Sequence, residues 1–156
     1  MRVDDLHMVY LRAQLAGDED IMEDAGRRLT AENTLDGIVP LVHESFVLVT
    51  RKWFGAGFTH EQVIRLVAQV RASLGDQSKL VDPVAAESEI RRALGENVSL
   101  FADTAVRTAA QMALLDFLVR DLNLDEAEIW GLLRGALDAA ERTPSRAGTD
   151  PAERQP

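Results

Sequence analysis

The stretch that most constrains the fold runs from 34 to 54, and its many apolar side chains would surround a helix on nearly all sides. At 100° per residue, most of these side chains fall on one arc of a helical wheel, and a few lie on the opposite side. The arc holds Ile38, Val39, Leu41, Val42, Phe46, Leu48, Val49 and Trp53, and Val47 and Phe54 lie opposite. The many β-branched residues favour a strand, but few strands are this long. We therefore predict a helix buried among other helices, at the centre of the fold.

The remainder of the chain reads as a series of shorter helices separated by capping signals. Thr59 with Gln62 and Asp125 with Glu128 are capping-box patterns, and the Asp82-Pro83 pair is typical of a helix start. Pro40 is tolerated if Asp36 caps the central helix, since first-turn N–H groups lack partners there. No segment is typical of a strand. The sequence predicts an all-α fold, a compact bundle of about seven helices around the central one.

The domain organisation follows from length and composition. A chain of 156 residues suits one domain with one core, which we assign to 1–142. The segment 143–156 holds three of the five prolines and almost no apolar residue. We expect this segment to be a disordered tail.

Charge and cysteine usage exclude several classes of function. The net charge of −9 argues against binding nucleic acid or anionic lipid, because both need a positive surface. The chain contains no cysteine, which excludes disulfides and cysteine-ligated metal and fits a reducing cytoplasm. We expect no export signal and no membrane span. Phosphate-loop, dinucleotide-binding and nucleophile-elbow motifs are absent from the sequence, so we predict no cofactor, no metal and no catalytic residues.

The central helix carries one small group of polar residues that needs an explanation. His43, Glu44 and Arg51 lie with Lys52 on a mostly apolar helix, and Glu44 and Arg51 share a face two turns apart. Burying an unpaired charge is costly, so such groups pair, reach water or bind something. They are either a narrow strip facing solvent or the residues of a ligand or partner site. If the chain is an enzyme, His43 oriented by Glu44 is the one general base that the sequence offers, although adjacent helix residues point about 100° apart.

A second candidate lies near the C-terminal end, in FLVRDLNLDEAEIWGLL (117–133). In its layout of helix, acidic turn and Glu-led helix, it is similar to a segment of the TerB-like tellurite-resistance helical domains. The resemblance covers fewer than twenty residues, and the glycine expected after the turn aspartate is Leu122 here. It implies a divalent metal at Asp121, Asp125 and Glu128. Helix capping by Asp125 and Glu128 accounts for the same residues.

The functional prediction from these features is a noncatalytic helical interaction domain that associates with itself or with another protein. We expect few polar groups on inward faces and more apolar surface than a lone bundle requires. The expected interface lies on the first and last helices, at Met8, Leu11, Leu15, Trp130 and Leu132. Gly131 and Gly135, four residues apart, allow close approach of another helix, within the chain or from a second subunit. The alternative is a small-ligand or metal-binding domain that uses His43, Glu44 and Arg51.

Overall fold

The computed structural model describes residues 4–100 and 103–143 and contains only helices in these ranges. The seven α-helices are α1 (Asp5–Ala16), α2 (Glu19–Ala31), α3 (Ile38–Phe54), α4 (His60–Ser73), α5 (Pro83–Ala93), α6 (Thr104–Asp121) and α7 (Glu126–Arg142). Two short 3₁₀ helices, Leu35–Gly37 and Gly75–Leu80, precede α3 and α5. The predicted all-α bundle is confirmed.

The central helix is the one predicted, with a later start. α3 packs mainly against α6 and α7, and it also contacts α5 and α1. It begins at Ile38, where the 3₁₀ turn Leu35–Gly37 ends, so Pro40 lies in its first turn and needs no kink. Its C-terminal cap, Gly55, has φ +66°, a backbone conformation that side chains other than glycine rarely adopt. The cap fixes the end of α3 beside the C-terminal end of α5.

Local capping explains where most of the helices begin. Thr59 and Gln62 form the predicted capping box of α4, and Asp82 caps α5 immediately before a proline. Asp103 accepts two backbone N–H bonds at the start of α6. Each cap satisfies backbone donors that would otherwise lack partners at the first turn.

The core is built from aliphatic side chains that converge on α3. Phe46 is fully buried and packs with Leu114, Leu118 and Leu133, which belong to α6 and α7. Five polar residues are buried among the apolar side chains of the core. They are His7, Ser45, Thr50, Glu89 and Gln111.

One of these buried polar residues ties α1 to the turn before α3. His7 is fully buried, and its Nδ1 lies 3.1 Å from the backbone nitrogen of Asp4, from which it accepts a hydrogen bond. Its Nε2 lies 2.7 Å from the carbonyl oxygen of Thr34 and donates to it. A Cβ atom added to Gly37 would lie 2.5 Å from the same Nε2, so the turn can approach the ring only because residue 37 is glycine.

Within residues 4–100 and 103–143, no helix is both long and apolar enough to cross a membrane. Apart from Thr143, the predicted C-terminal tail lies outside the described residues.

Candidate functional site

A cleft of about 260 Å³ lies between α3 and α5. It brings together the three residues singled out on the central helix, His43, Glu44 and Arg51. From α5 it adds the charged side chains of Glu89 and Arg92. His43 and Glu44 are half-buried and Arg51 is exposed, so all three side chains reach solvent along the cleft.

The wall of the cleft contains a buried carboxylate held by two donors. Glu89 is 1% exposed. Its Oε1 accepts from Nε of Arg107 at 2.8 Å, and its Oε2 accepts from Nε2 of Gln111 at 2.6 Å, both on α6. A buried carboxylate without such partners costs several kcal/mol of desolvation. The two donors therefore account for the presence of a charge at this depth, and they join α5 to α6.

The same network reaches the ring of His43. The side-chain amide nitrogen of Gln111, which is nearly buried, also lies 3.1 Å from Nδ1 of His43. Arginine only donates and an ionised carboxylate only accepts, so the NH₂ group of Gln111 must face Glu89. Its second N–H then points to His43, and Nδ1 must accept it. In this arrangement the neutral ring carries its proton on Nε2, and the network presents His43 as an N–H donor.

Both arginines of the cleft are anchored to backbone carbonyl groups at the end of α5. Nε of Arg51 donates to the carbonyl oxygen of Ala93 at 2.8 Å, and Nη1 of Arg92 donates to that of Val98 at 3.0 Å. These bonds hold the two guanidinium groups in place. Each bond uses one nitrogen of its group, so the other nitrogens do not take part in it. Nε of Arg92 is buried and has no hydrogen-bond partner in the described part of the chain.

The sequence prediction identified three of the seven polar residues of this candidate site. It identified His43, Glu44 and Arg51, but it paired His43 with Glu44, whereas the structure gives the Nδ1 bond to Gln111. Glu89, Gln111, Arg92 and Arg107 were not predicted. In the sequence, each of these residues is simply a polar side chain on an amphipathic helix. Solvent-exposed arginines and glutamates look the same, so the sequence does not single these four out.

The acidic turn between α6 and α7 is used for capping. Asp125 accepts from the backbone N–H of Glu128 at 2.8 Å, and the Glu128 side chain accepts from that of Asp125 at 2.9 Å. Oδ2 of Asp121 accepts from Nε1 of Trp53 at 2.8 Å. Among residues 4–100 and 103–143, no group of three or more His, Cys, Asp or Glu side chains is arranged to hold a metal ion. The described geometry thus supports helix capping at this turn.

The expected interface residues separate into two groups. Met8, Leu11 and Leu15 are at most 5% exposed and belong to the core, because α2 and α7 cover α1. A buried side chain offers no surface to a partner, so this fold does not present the interface expected on α1. Trp130 and Leu132 are half-buried and pack against the core.

The two glycines of α7, Gly131 and Gly135, have different surroundings. An added Cβ at Gly135 would lie 3.4 Å from Leu48 of α3, so this glycine serves a helix contact within the chain. Gly131 is exposed, and an added Cβ there meets no atom within 4 Å among the described residues. Of the two glycines, it is therefore Gly135 at which α7 closely approaches α3.

No protein-family model, curated protein or solved structure matches this chain.

Proposed function

We propose that this chain is a noncatalytic helical domain that binds a small polar molecule in the cleft between α3 and α5. The observation that carries the proposal is the buried Arg107–Glu89–Gln111 network, which runs from α6 to His43 at the wall of the cleft. Replacing a buried ionic network with apolar residues is often neutral or stabilising. Stability alone is therefore a weak reason for this network, whereas orientation of His43 gives it a use.

The shape and lining of the cleft also support a ligand-binding role. Small-molecule sites are concave and contain a few convergent polar groups on rigid elements. Here Val47 and Ala93 contribute the apolar part of the lining, and hydrogen bonds fix the positions of every polar side chain in it except Glu44. In this tautomer His43 offers a ligand a hydrogen-bond donor, since a protonated Nε2 can donate a hydrogen bond but cannot accept a proton.

The test compares two tryptophan variants. Val47→Trp fills the cleft and leaves the network in place, and Ile64→Trp adds the same side chain at a position 54% exposed on α4. Each protein is incubated with the small-molecule fraction of a cell extract, and its thermal unfolding is then measured. A ligand present at 100 times its Kd adds about 2.7 kcal/mol of stability, which raises the Tm of a chain of this size by about 5–11 °C.

We expect the wild type and Ile64→Trp to gain stability and Val47→Trp to gain none. Native mass spectrometry of the same samples should then give the mass of the bound molecule. Equal shifts in all three proteins would place binding elsewhere, and the lack of a shift in the wild type would refute the proposal.

Self-association is a second proposal, supported by large apolar side chains on the surface. Val84 and Leu80 are each 60% exposed and Leu100 is 52% exposed. Exposed apolar groups of this kind favour contacts with another protein when they are contiguous. Val84→Glu should shift the molar mass from light scattering toward 17.2 kDa if these residues form the contact. Ala127→Glu, at an exposed position on α7, is the control. A wild type that is monomeric at high concentration would refute this second proposal.

A further inference from the structure

We propose that the cleft between α3 and α5 recognises a carboxylate group, with Arg92 and Arg51 as its anchors and His43 as an additional donor. This inference rests on the proposed ligand-binding function and names the chemical class of the ligand. It follows from three properties of the lining, which are an unpaired buried donor, a net charge and a fixed tautomer.

The unpaired donor is Nε of Arg92. This atom is buried and has no hydrogen-bond partner within the residues that the structure describes, although Nη1 of the same group donates to the carbonyl oxygen of Val98. A buried donor without an acceptor costs free energy, and the cost is greater when the group is charged. Because solvent does not reach Nε, the guanidinium group must turn toward the cleft for a carboxylate to supply the missing acceptor, and its planar fork then matches the two carboxylate oxygens.

The charge of the lining favours a singly charged group. Arg51 and Arg92 contribute two positive charges, and Glu44 contributes one negative charge. Glu89 is compensated by Arg107, with which it forms an ion pair at 2.8 Å. One positive charge therefore remains for the ligand. A phosphate monoester carries about −1.5 to −2 at neutral pH and would leave an excess of negative charge beside Glu44, whereas a carboxylate balances the cleft.

The fixed tautomer of His43 supplies a donor that a carboxylate can use. Because Gln111 donates to Nδ1, the proton of the neutral ring lies on Nε2. Nε2 makes no hydrogen bond to any residue in the described part of the chain. An anion can accept a hydrogen bond from this N–H with little loss of side-chain entropy, because the ring is already held by Gln111, which is itself hydrogen-bonded to Glu89. Gln111 and Glu89 are thus positioning residues, and only Arg51, Arg92 and His43 contact the ligand.

Acetate is the simplest probe. We would titrate the full-length protein with sodium acetate at constant ionic strength, replacing sodium chloride, and follow the Nε–H signals of the arginines by ¹H–¹⁵N NMR. An ion this small is expected to bind with a Kd on the order of 1–10 mM, and a natural ligand with more contacts would bind more tightly. Sodium phosphate at the same ionic strength tests the second anion class.

The variant Arg92→Lys keeps the positive charge and removes the fork. It should weaken acetate binding about tenfold, as judged from the Arg51 Nε–H signal. Arg65→Lys, on the exposed side of α4, is the matched control and should bind acetate as the wild type does. Unchanged acetate affinity in Arg92→Lys would overturn the proposal, and so would phosphate binding tighter than acetate.

The two levels of inference fail in different ways. If acetate gives no response in the cleft while the extract still stabilises the wild type and not Val47→Trp, the cleft is a ligand site and the carboxylate assignment is wrong. If neither experiment gives a response that depends on the cleft, the ligand-binding function itself is wrong.

Discussion

Replacing Arg107 with methionine should destabilise the fold by about 3 kcal/mol, because the change leaves the buried carboxylate of Glu89 without its guanidinium partner. Breaking a buried ion pair from one side typically costs about 3–5 kcal/mol. The lower end applies here for two reasons. Gln111 still donates to the carboxylate, and the side chain of Arg107 is 20% exposed, so water screens part of the original interaction.

The double variant makes the prediction sharper. Glu89→Leu alone should cost about 2 kcal/mol, since it leaves a buried N–H of Gln111 without its acceptor while Arg107 can turn to water. Once residue 89 is leucine, changing Arg107 removes no further partner. Glu89→Leu/Arg107→Met should therefore be no less stable than Glu89→Leu, although simple addition gives about 5 kcal/mol.

Urea unfolding at neutral pH measures these differences as shifts of the midpoint at constant m. In thermal unfolding, the loss of about 3 kcal/mol in Arg107→Met corresponds to a decrease in Tm of about 6–12 °C. Arg65→Met is the control, because Arg65 is 64% exposed and its pair with Glu61 should contribute less than about 0.5 kcal/mol. If Arg107→Met costs no more than this control, Glu89 is not held as a buried ion, and the inferred tautomer of His43 loses its basis.

Two further changes test other parts of the fold. Gly37→Ala should cost about 1–3 kcal/mol in urea unfolding, because the new methyl group would lie 2.5 Å from the buried ring of His7. Gly57→Ala, where an added Cβ meets no described atom within 4 Å, should be neutral, and an equal loss at both positions would contradict the steric explanation. The hydrogen bond from Arg91 holds the pKa of Glu96 below its usual value. The ionised form is thus favoured in the folded state, so its stabilisation is present above the unfolded pKa and is lost as pH falls through the folded pKa. Urea midpoints of the wild type and Glu96→Gln should consequently differ at about pH 7, and this difference should shrink as the pH falls below the ordinary glutamate pKa of about 4.3; a difference that stays constant below that pH would refute the assignment.

The features that sequence analysis predicts well are those encoded within one or two helical turns. Thr59 with Gln62 and Asp125 with Glu128 are capping boxes in the structure because each depends only on residues three apart. The apolar wheel of α3 likewise predicts its central position, since an apolar surface on nearly all sides must be covered by other helices.

The features that it misses depend on how helices pack against one another. Glu89 and Gln111 lie 22 residues apart on different helices, and a charged residue read alone is expected to face solvent. The burial of Leu11 depends in the same way on the covering of α1 by α2 and α7. A single sequence gives the apolar face of each helix but does not identify the helix that covers it.

If the cleft binds an anion as proposed, its two carbonyl anchors would link ligand occupancy to local unfolding. Arg51 and Arg92 bind the carbonyl oxygens of Ala93 and Val98, at the point where α5 ends and the connection to α6 begins. Local opening of residues 93–98 must release these guanidinium groups, and a bound anion that holds both groups raises the free energy of that opening. Amide hydrogen exchange in residues 93–98 should therefore slow when acetate occupies the cleft, while exchange in α2, which lies outside the cleft, stays constant. On this basis, a molecule bound between α3 and α5 also determines how often the following connection opens.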